Sequence, residues 1–206
     1  MKWDVILIGY SGHAFVAYEI FELNGIKVSG YCDLEEKKNN PYGLEYLGDG
    51  NREKLMKIVT HSDYFVAIGE NKVRKKIMTE MESWGSEMIN AIHPGSIVSS
   101  SVSIGKGVMI APHVVINAQT KIHDGVIVNS GAIVEHECRL GRFTHIAPGA
   151  VLCGNVQVGE CTFIGANTVI KQGIRIGSNV TIGAGSVILK DIPDYSRVAG
   201  NPLKNI

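Results

Sequence analysis

The chain has 206 residues, with 20 Lys and Arg against 20 Asp and Glu, so its formal net charge is zero. This balance does not predict the basic face that a nucleic-acid partner would require. No apolar run approaches the roughly 18 residues of a membrane span. The length suits one domain and a smaller companion domain, and an apolar content of 45% is enough for a buried core. We therefore expect neither a nucleic-acid partner nor a membrane span.

The first part of the chain, residues 1–90, alternates strand-like apolar runs with helical spacing. Its first eight residues lack the basic n-region of a signal peptide and include Asp4, so they predict a strand instead. In a later helix, Val73, Ile77 and Met81 are expected to share one apolar face. Alternating strands and helices indicate a small, Rossmann-like parallel sheet. The predicted strands are 5–8, 26–31 and 64–68, and the predicted helices are 15–21, 52–59 and 70–83.

A glycine-rich segment, residues 9–13, joins the first predicted strand to the first helix. Backbone N–H groups at such a turn, together with a helix N-terminus, can bind a phosphate. Asp33 ends the second strand, where its carboxylate could accept a hydrogen bond from a ribose or a base. The full G-x-G-x-x-G pattern is absent, which favours a mononucleotide over a dinucleotide. A tight turn without a ligand is the equal alternative.

From Val98 onward, an aliphatic residue recurs at every sixth position without a miss. Neither an α-helix nor a flat strand has a period of six. The second residue before each of these positions is small or β-branched, so each hexad points two side chains inward. This period is the signature of a parallel β-helix. The aliphatic positions are Val98, Ile104, Ile110, Ile116, Ile122, Val128, Val134, Leu140, Ile146, Leu152, Val158, Ile164, Ile170, Ile176, Ile182 and Ile188.

The two patterns meet near Pro94 and Gly95, which break the first one. We assign residues 1–90 to the α/β domain and residues 91–206 to the β-helix with a C-terminal tail. The tail, residues 191–206, leaves the repeat and is predicted to be irregular. Apolar residues at outward positions predict that three copies pack along the sides of the β-helix as a homotrimer. These residues are Val115, Ile127, Ile133, Val151 and Val169.

The cysteines and histidines do not predict a metal site. The four cysteines show no C-x-x-C spacing, which favours reduced thiols in a cytoplasmic protein. The β-helical γ-class carbonic anhydrases bind zinc through three histidines, two of them closely spaced in one chain. The repeat histidines of this chain contain no close pair, so we expect no metal. They are His113, His123, His136 and His145.

One of these histidines, His136, lies between Glu135 and Glu137. Neighbouring carboxylates can orient an imidazole and raise its basicity, as a general base requires. Charged residues are also common at outward positions of a solenoid, so an exposed histidine without a function is the alternative.

Taken together, the motifs resemble those of the sugar O- and N-acetyltransferases of the left-handed β-helix superfamily. Within that family, the chain is most similar to the branch that N-acetylates UDP-4-amino sugars in bacillosamine synthesis. The branches for sialic acid O-acetylation and perosamine N-acetylation are near relatives. The resemblance covers essentially the whole chain. It rests on Gly9-x-Ser11-Gly12-His13, Ala67-Ile68-Gly69-Glu70-Asn71 with Arg74, His93-Pro94, Asn129-Ser130-Gly131-Ala132, Glu135-His136-Glu137-Cys138, His145-Ile146-Ala147-Pro148 and Val198-Ala199-Gly200-Asn201-Pro202.

This resemblance implies a left-handed β-helix, a trimer, and acetyl-CoA bound in the groove between adjacent β-helices. It implies direct acetyl transfer to the amino group of a nucleotide-linked sugar, without a metal. It also implies roles for particular residues. The general base would be His136, with Glu137 to orient it; acetyl-CoA would contact His145, Gly154, Ala166, Gly183 and Pro202; the nucleotide-sugar would contact Gly9, Ser11, Gly12, His13, Asp33, Gly69 and Asn129.

The chain departs from the family pattern at two positions. Tyr10 stands where the family more often has a small residue, beside the expected nucleotide. Leu203 stands where Ala usually follows Asn-Pro, near the expected exit of CoA. Neither position contacts the expected base.

Two other functions remain open. An O-acetyltransferase acting on a sialic acid or another sugar hydroxyl would use the same base. A non-catalytic nucleotide-sugar-binding or scaffold protein would bind the nucleotide without acetyl transfer. The sequence leaves open the sugar, the acetylated position, and the choice among UDP, GDP and CMP.

Overall fold

The computed structural model describes residues 4–51, 55–56, 62–82 and 87–206. It forms two compact units, Met1–Pro94 and Gly95–Ile206. The helix predicted over 52–59 falls almost entirely outside the described residues.

The N-terminal unit contains a four-stranded parallel sheet, in the order β3 (Glu45–Tyr46), β2 (Lys27–Cys32), β1 (Asp4–Ile8) and β4 (Asp63–Val66). Its central strand, β1, is almost fully buried, as expected for a parallel strand covered on both faces. The predicted parallel sheet is therefore present, and β3 is an additional strand. The elements are β1 Asp4–Ile8, α1 Gly12–Leu23, β2 Lys27–Cys32, β3 Glu45–Tyr46, β4 Asp63–Val66, α2 Asn71–Met81 and β5 Ala91–Ile92.

The buried residues of helix α2 only partly overlap the predicted apolar face. Its buried residues follow helical spacing and include a charged residue, Arg74. Val73, Ile77 and Met81 share one face, as predicted, and this face lines a cavity; Val73 on it is 44% exposed. The helix packs through Asn71, Arg74, Met78 and Met81.

The second unit is a β-helix of two-residue strands, each paired in parallel with the strand 18 residues further along, as in Val98↔Ile116 and Ile116↔Val134. Three hexads therefore make one rung, and the strands form three faces. Face 1 comprises β6 Ile97–Val98, β9 Val115–Ile116, β12 Ile133–Val134, β15 Val151–Leu152, β18 Val169–Ile170 and β21 Val187–Ile188. Face 2 comprises β7 Ser103–Ile104, β10 Lys121–Ile122, β13 Arg139–Leu140, β16 Gln157–Val158 and β19 Arg175–Ile176. Face 3 comprises β8 Met109–Ile110, β11 Ile127–Val128, β14 His145–Ile146, β17 Phe163–Ile164, β20 Thr181–Ile182, β22 Arg197–Ala199 and β23 Lys204–Asn205.

The interior of the β-helix confirms the hexad pattern. The repeating aliphatic residues are buried from Ile110 to Ile188, whereas Val98 and Ile104 in the first rung are half-buried. Buried hydroxyls among them have partners: Thr144 and Thr162 donate to backbone carbonyls over 2.8 and 2.7 Å. Polar side chains therefore enter this core without leaving hydroxyls unsatisfied.

The C-terminal tail is more regular than predicted. Strand β22 pairs in parallel with β20, so that Val198 lies beside Ile182 at a spacing of 16 residues instead of 18. Strand β23 then returns antiparallel along β22. The expectation of an irregular tail is therefore wrong. The chain leaves the six-residue period while continuing the pairing of face 3.

The outward apolar residues fall into two groups. Val115, Ile133, Val151 and Val169 lie on face 1 and retain exposed surface. Ile127 is on face 3 and is only 1% exposed. Ile127 is therefore not part of the exposed apolar stripe that the sequence predicted.

Candidate functional site

The N-terminal unit contains a cavity of about 700 Å³ where β1, β2 and β4 end. The carboxyl ends of parallel strands are the usual place for a ligand in an open α/β sheet. Four of the predicted nucleotide-sugar residues line it: Gly9, Ser11, Asp33 and Gly69. Gly12 and His13 are not among its lining residues, although they begin helix α1 beside it.

The glycine loop approaches the opposite wall closely. Gly9 has a φ of +90°, and a Cβ at this residue would lie 2.7 Å from Cγ1 of Ile68. Only glycine fits this position without displacing its neighbour. Ser11 is the N-cap of α1, makes no side-chain capping bond, and is exposed. The first turn of α1 carries no acidic residue, so its N-terminus can attract an anion.

Asp33 connects the glycine loop to the loop that follows β2. One carboxylate oxygen accepts the backbone N–H of Tyr10 over 2.8 Å. The other accepts the backbone N–H of Leu34 over 2.7 Å and lies 3.2 Å from the Lys37 ammonium. The predicted ligand-binding carboxylate therefore also has a structural role, which holds two walls of the cavity together.

A buried guanidinium shapes the third wall. Arg74 is 1% exposed and donates to the carbonyls of Ile68 and Gly69 over 2.9 and 3.0 Å. It also donates to Oδ1 of Asn71 over 2.8 Å. From the sequence, Arg74 was expected only as a member of the motif around residues 67–71. The signal for its role was its helical spacing with Asn71 and Met78, which places it on the buried face of α2.

Tyr10 turns away from solvent into an aromatic stack. Its ring lies 4.0 Å from that of Tyr31 at an interplanar angle of 19°, and its hydroxyl donates to Oδ1 of Asn40. Burial raises the pKa of Tyr10. This chain therefore accommodates the larger residue with an aromatic partner on the next strand.

His136 and Glu137 form a pair at the corner that follows β12. Nδ1 of His136 lies 3.0 Å from Oε2 of Glu137. The side chains are 50% and 64% exposed, so a substrate can reach them. Because a carboxylate only accepts, the neutral ring carries its proton on Nδ1 and keeps a lone pair on Nε2. This arrangement can accept a proton.

Gly154 lies one rung further along, directly against this imidazole. A Cβ at residue 154 would lie 2.5 Å from Cε1 of His136 and 2.7 Å from its Nε2. The carbonyl of His136 also accepts the backbone N–H of Asn155 over 2.8 Å. The absence of a side chain at Gly154 thus makes room for the histidine. The expected contact of Gly154 with acetyl-CoA stays a prediction.

His145 lies on face 3, and the residue is 9% exposed. Its Nε2 is 3.3 Å from Nδ2 of Asn129, which begins the corner after β11. The ring of Phe163 stands edge-on to it at 5.1 Å. The structure therefore brings together two predicted residues that are 16 positions apart in the chain.

The other predicted acetyl-CoA residues lie where the chain leaves face 3. Ala166 and Gly183 lie at corners that lead from face 3 to face 1. A Cβ at Gly183 would lie 2.7 Å from that of Ala199. Pro202 is exposed in the turn between β22 and β23.

The predicted residues of the β-helix thus occupy two different edges. Asn129, Ala166 and Gly183 lie between faces 3 and 1, whereas His136 and Gly154 lie between faces 1 and 2. Within one chain, face 1 separates the two groups. Its outward side chains form an apolar column: Ile97, Val115, Ile133, Val151, Val169 and Val187.

Across residues 4–51, 55–56, 62–82 and 87–206, no cluster of three or more His, Cys, Asp or Glu side chains could hold a metal ion. Within that same described part, no helix has the length and apolar character needed to cross a membrane.

Two family profiles match the chain. Residues 4–81 match the PglD N-terminal domain, and residues 155–190 match the bacterial transferase hexapeptide family of six repeats. A curated relative, the UDP-N-acetylbacillosamine N-acetyltransferase of Bacillus subtilis (strain 168), is 31% identical over 110 residues. That match covers 52% of this chain and 50% of the relative, so the chain spans about half the length of this protein.

Solved structures are similar over nearly the full length. PerB from Caulobacter crescentus, in complex with CoA and GDP-perosamine, is 37% identical with a TM-score of 0.92, covering 98% of this chain and 97% of that one. The acetyltransferase domain of PglB from Neisseria gonorrhoeae FA1090 is 36% identical with a TM-score of 0.91, covering 98% and 99%. These similarities confirm the predicted fold class, an α/β N-terminal domain followed by a left-handed β-helix. The chain belongs to the hexapeptide-repeat sugar acetyltransferases of the left-handed β-helix superfamily.

Proposed function

We propose that this chain transfers the acetyl group of acetyl-CoA to the amino group of a nucleotide-linked amino sugar of the UDP-4-amino-sugar type. The observation that carries the proposal is the exposed His136–Glu137 pair at a β-helix corner. Similarity over 98% of the chain to a structure with CoA and GDP-perosamine supports the two substrates. A cytoplasmic location stays a prediction from the sequence.

In the proposed reaction, His136 is the general base. The sugar nitrogen bonds to the thioester carbonyl carbon, the C–S bond breaks with CoA leaving as its thiolate, and the proton of the amine goes to Nε2 of His136. Glu137 stabilises the imidazolium that forms and holds Nδ1–H in place. A base of this kind contributes roughly 10²–10⁴-fold in rate. A thioester is already activated, so no covalent intermediate with the protein is required.

The nucleotide occupies the N-terminal cavity in this proposal. The exposed Ser11 hydroxyl and the N-terminus of α1 suit the diphosphate, because no acidic residue of the first helical turn opposes it. At Gly9 and Gly69, which line the cavity, no side chain takes up room that the diphosphate needs. Asp33 is available to a ribose hydroxyl or to an N–H group of the base through oxygens that already accept from Tyr10 and Leu34.

Acetyl-CoA lies between two copies of the chain in this proposal, along the edge that carries His145, Ala166, Gly183 and Pro202. The separation of this edge from His136 within one chain supports a homotrimer. A neighbouring copy could then bring its own edge to His136, and the apolar column of face 1 offers a surface for packing. Every acetyl-CoA contact remains a proposal.

A substrate screen tests this function. The purified protein is incubated with acetyl-CoA and with UDP-, GDP- or CMP-linked sugars, each as an amino sugar and as its hydroxyl counterpart. Mass spectrometry should detect one added acetyl group on an amino sugar, with UDP preferred. Acetylation of hydroxyl sugars or sialic acids alone would favour an O-acetyltransferase. Tight nucleotide binding without any transfer would favour a non-catalytic protein.

A further inference from the structure

Two hydrogen bonds after β11 decide which nitrogen of His145 carries its proton. The backbone N–H of Ser130 donates to Oδ1 of Asn129 over 2.8 Å. The amide therefore turns its Nδ2 toward His145, and Nδ2 lies 3.3 Å from Nε2 of the ring. Because an amide NH₂ group only donates, Nε2 is the acceptor, and the proton of the neutral ring is on Nδ1.

The position of the ring is fixed from a second direction. His145 is in register with Phe163 on the neighbouring strand, and the two rings meet edge-on at 5.1 Å and 77°. The residue is 9% exposed. The aromatic contact holds the plane of the ring, and the amide contact selects between the two orientations in that plane, because a ring turned by 180° would no longer present Nε2 to Asn129.

The two histidines of the predicted site therefore differ in their lone pairs. In His136, Nδ1 bonds to the Glu137 carboxylate, and Nε2 keeps a lone pair. In His145, the lone pair of Nε2 receives the amide of Asn129. His136 can accept a proton at Nε2, whereas His145 must first lose a hydrogen bond.

We propose that Asn129 is a positioning residue that occupies the basic nitrogen of His145 and keeps this ring a neutral Nδ1–H donor. Protonation of Nε2 would set an N–H group against the NH₂ group of Asn129. The catalytic part of this inference rests on the proposed function, in which His145 contacts the acetyl end of acetyl-CoA. There the ring would serve as a hydrogen-bond donor and would not compete with His136 for the proton of the amine.

The tautomer can be measured directly in the full-length protein. Long-range ¹H–¹⁵N correlation spectra of histidine-labelled protein, assigned by the signals lost in His145→Gln, report the protonation of each ring nitrogen. At neutral pH, Nε2 of His145 should show the shift of an unprotonated nitrogen. In Asn129→Asp, Nε2 should become protonated, because a carboxylate only accepts. Asn179→Asp places the same charge at another corner and should leave His145 unchanged.

A protonated Nε2 in the unaltered protein, or an unchanged Nε2 in Asn129→Asp, would overturn the proposal. If Asn129→Asp fails to fold, Asn129→Leu replaces it; this variant removes the donor, so Nε2 should shift toward the average of the two tautomers. An unchanged Nε2 shift in Asn129→Leu would count equally against the role of Asn129.

Steady-state kinetics tests the catalytic part. A tautomer change in Asn129→Asp should raise KM for acetyl-CoA by roughly threefold to tenfold, the scale of one hydrogen bond. KM for the nucleotide-sugar is measured in parallel, because the sequence also predicts a contact of Asn129 with that substrate. An active variant with a changed tautomer and an unaltered KM for acetyl-CoA would overturn this part. If the unaltered protein transfers no acetyl group, the proposed function fails, and the spectra still decide the role of Asn129.

Discussion

The imidazole of His136 lies against the α-carbon of Gly154 in the next rung, at a distance that leaves no space for a methyl group. A Cβ at residue 154 would come within 2.5 Å of Cε1. The residue proposed as the base therefore owes its position to a glycine 18 places further along the chain.

Gly154→Ala should displace this ring without removing it. We expect kcat to fall about 10- to 100-fold, because a small misplacement of a catalytic group is costly. Gln172→Ala, at the same corner one rung further along, should retain its kcat. Steady-state kinetics on both variants, with thermal unfolding as a check on folding, makes the comparison. An alanine variant with full activity would show that the ring can move without cost.

His136→Ala should reduce kcat by about 10²–10⁴-fold. KM for both substrates should change little, because the base acts mainly in the transition state. The rate of the unaltered enzyme should fall toward acid pH, since only a neutral imidazole accepts a proton. His123→Ala serves as the control, as an exposed histidine at another corner. A His136→Ala enzyme that retains most of its kcat would show that another residue is the general base.

Arg74→Leu should weaken both the N-terminal unit and its nucleotide site. The substitution leaves the carbonyls of Ile68 and Gly69 without this donor, at about 1–3 kcal/mol for each unsatisfied group. We expect a lower free energy of unfolding and a higher KM for the nucleotide-sugar. KM for acetyl-CoA should stay constant. Lys72→Leu, on the exposed side of α2, should change neither quantity appreciably.

The buried thiols predict a loss of stability at alkaline pH. Burial raises the pKa of Cys32 and of Cys138 from 9.0 to about 11. Between these values, the unfolded thiols lose protons that the folded ones retain, so the free energy of unfolding falls as pH rises. Denaturant titrations from pH 8 to 11 measure this slope. It should be shallower in Cys138→Val, which removes one of the two groups, and an unchanged slope would contradict the assignment.

Val151→Asp should disrupt the proposed trimer. Val151 is at the middle of the apolar column on face 1, where a desolvated carboxylate without a partner is unfavourable. Light scattering should find three times the mass of one chain for the unaltered protein and a smaller assembly for the variant. Gln157→Asp, on face 2, should assemble normally. A stable, active monomer of the unaltered chain would refute the trimer.

The sequence alone determined the β-helix, because its six-residue period is a local rule that every rung obeys. An aliphatic residue at each sixth position must point inward wherever the chain turns at each hexad, and the buried positions from Ile110 to Ile188 agree. The glycine-rich turn after β1 and the carboxylate at Asp33 were also readable, since both depend on strand ends.

Only the tertiary structure decided which residues meet. The 18-residue rung sets Gly154 against His136, and cross-strand pairing places Phe163 beside His145. The same stacking divides the expected active-site residues between two edges. The sequence did not predict the buried role of Arg74, because that role depends on the backbone carbonyls that the guanidinium meets. It did not predict the hairpin of β22 and β23 either, because that hairpin depends on strand pairing. A sequence pattern records which side chains point inward, whereas contacts between outward side chains depend on how the rungs align.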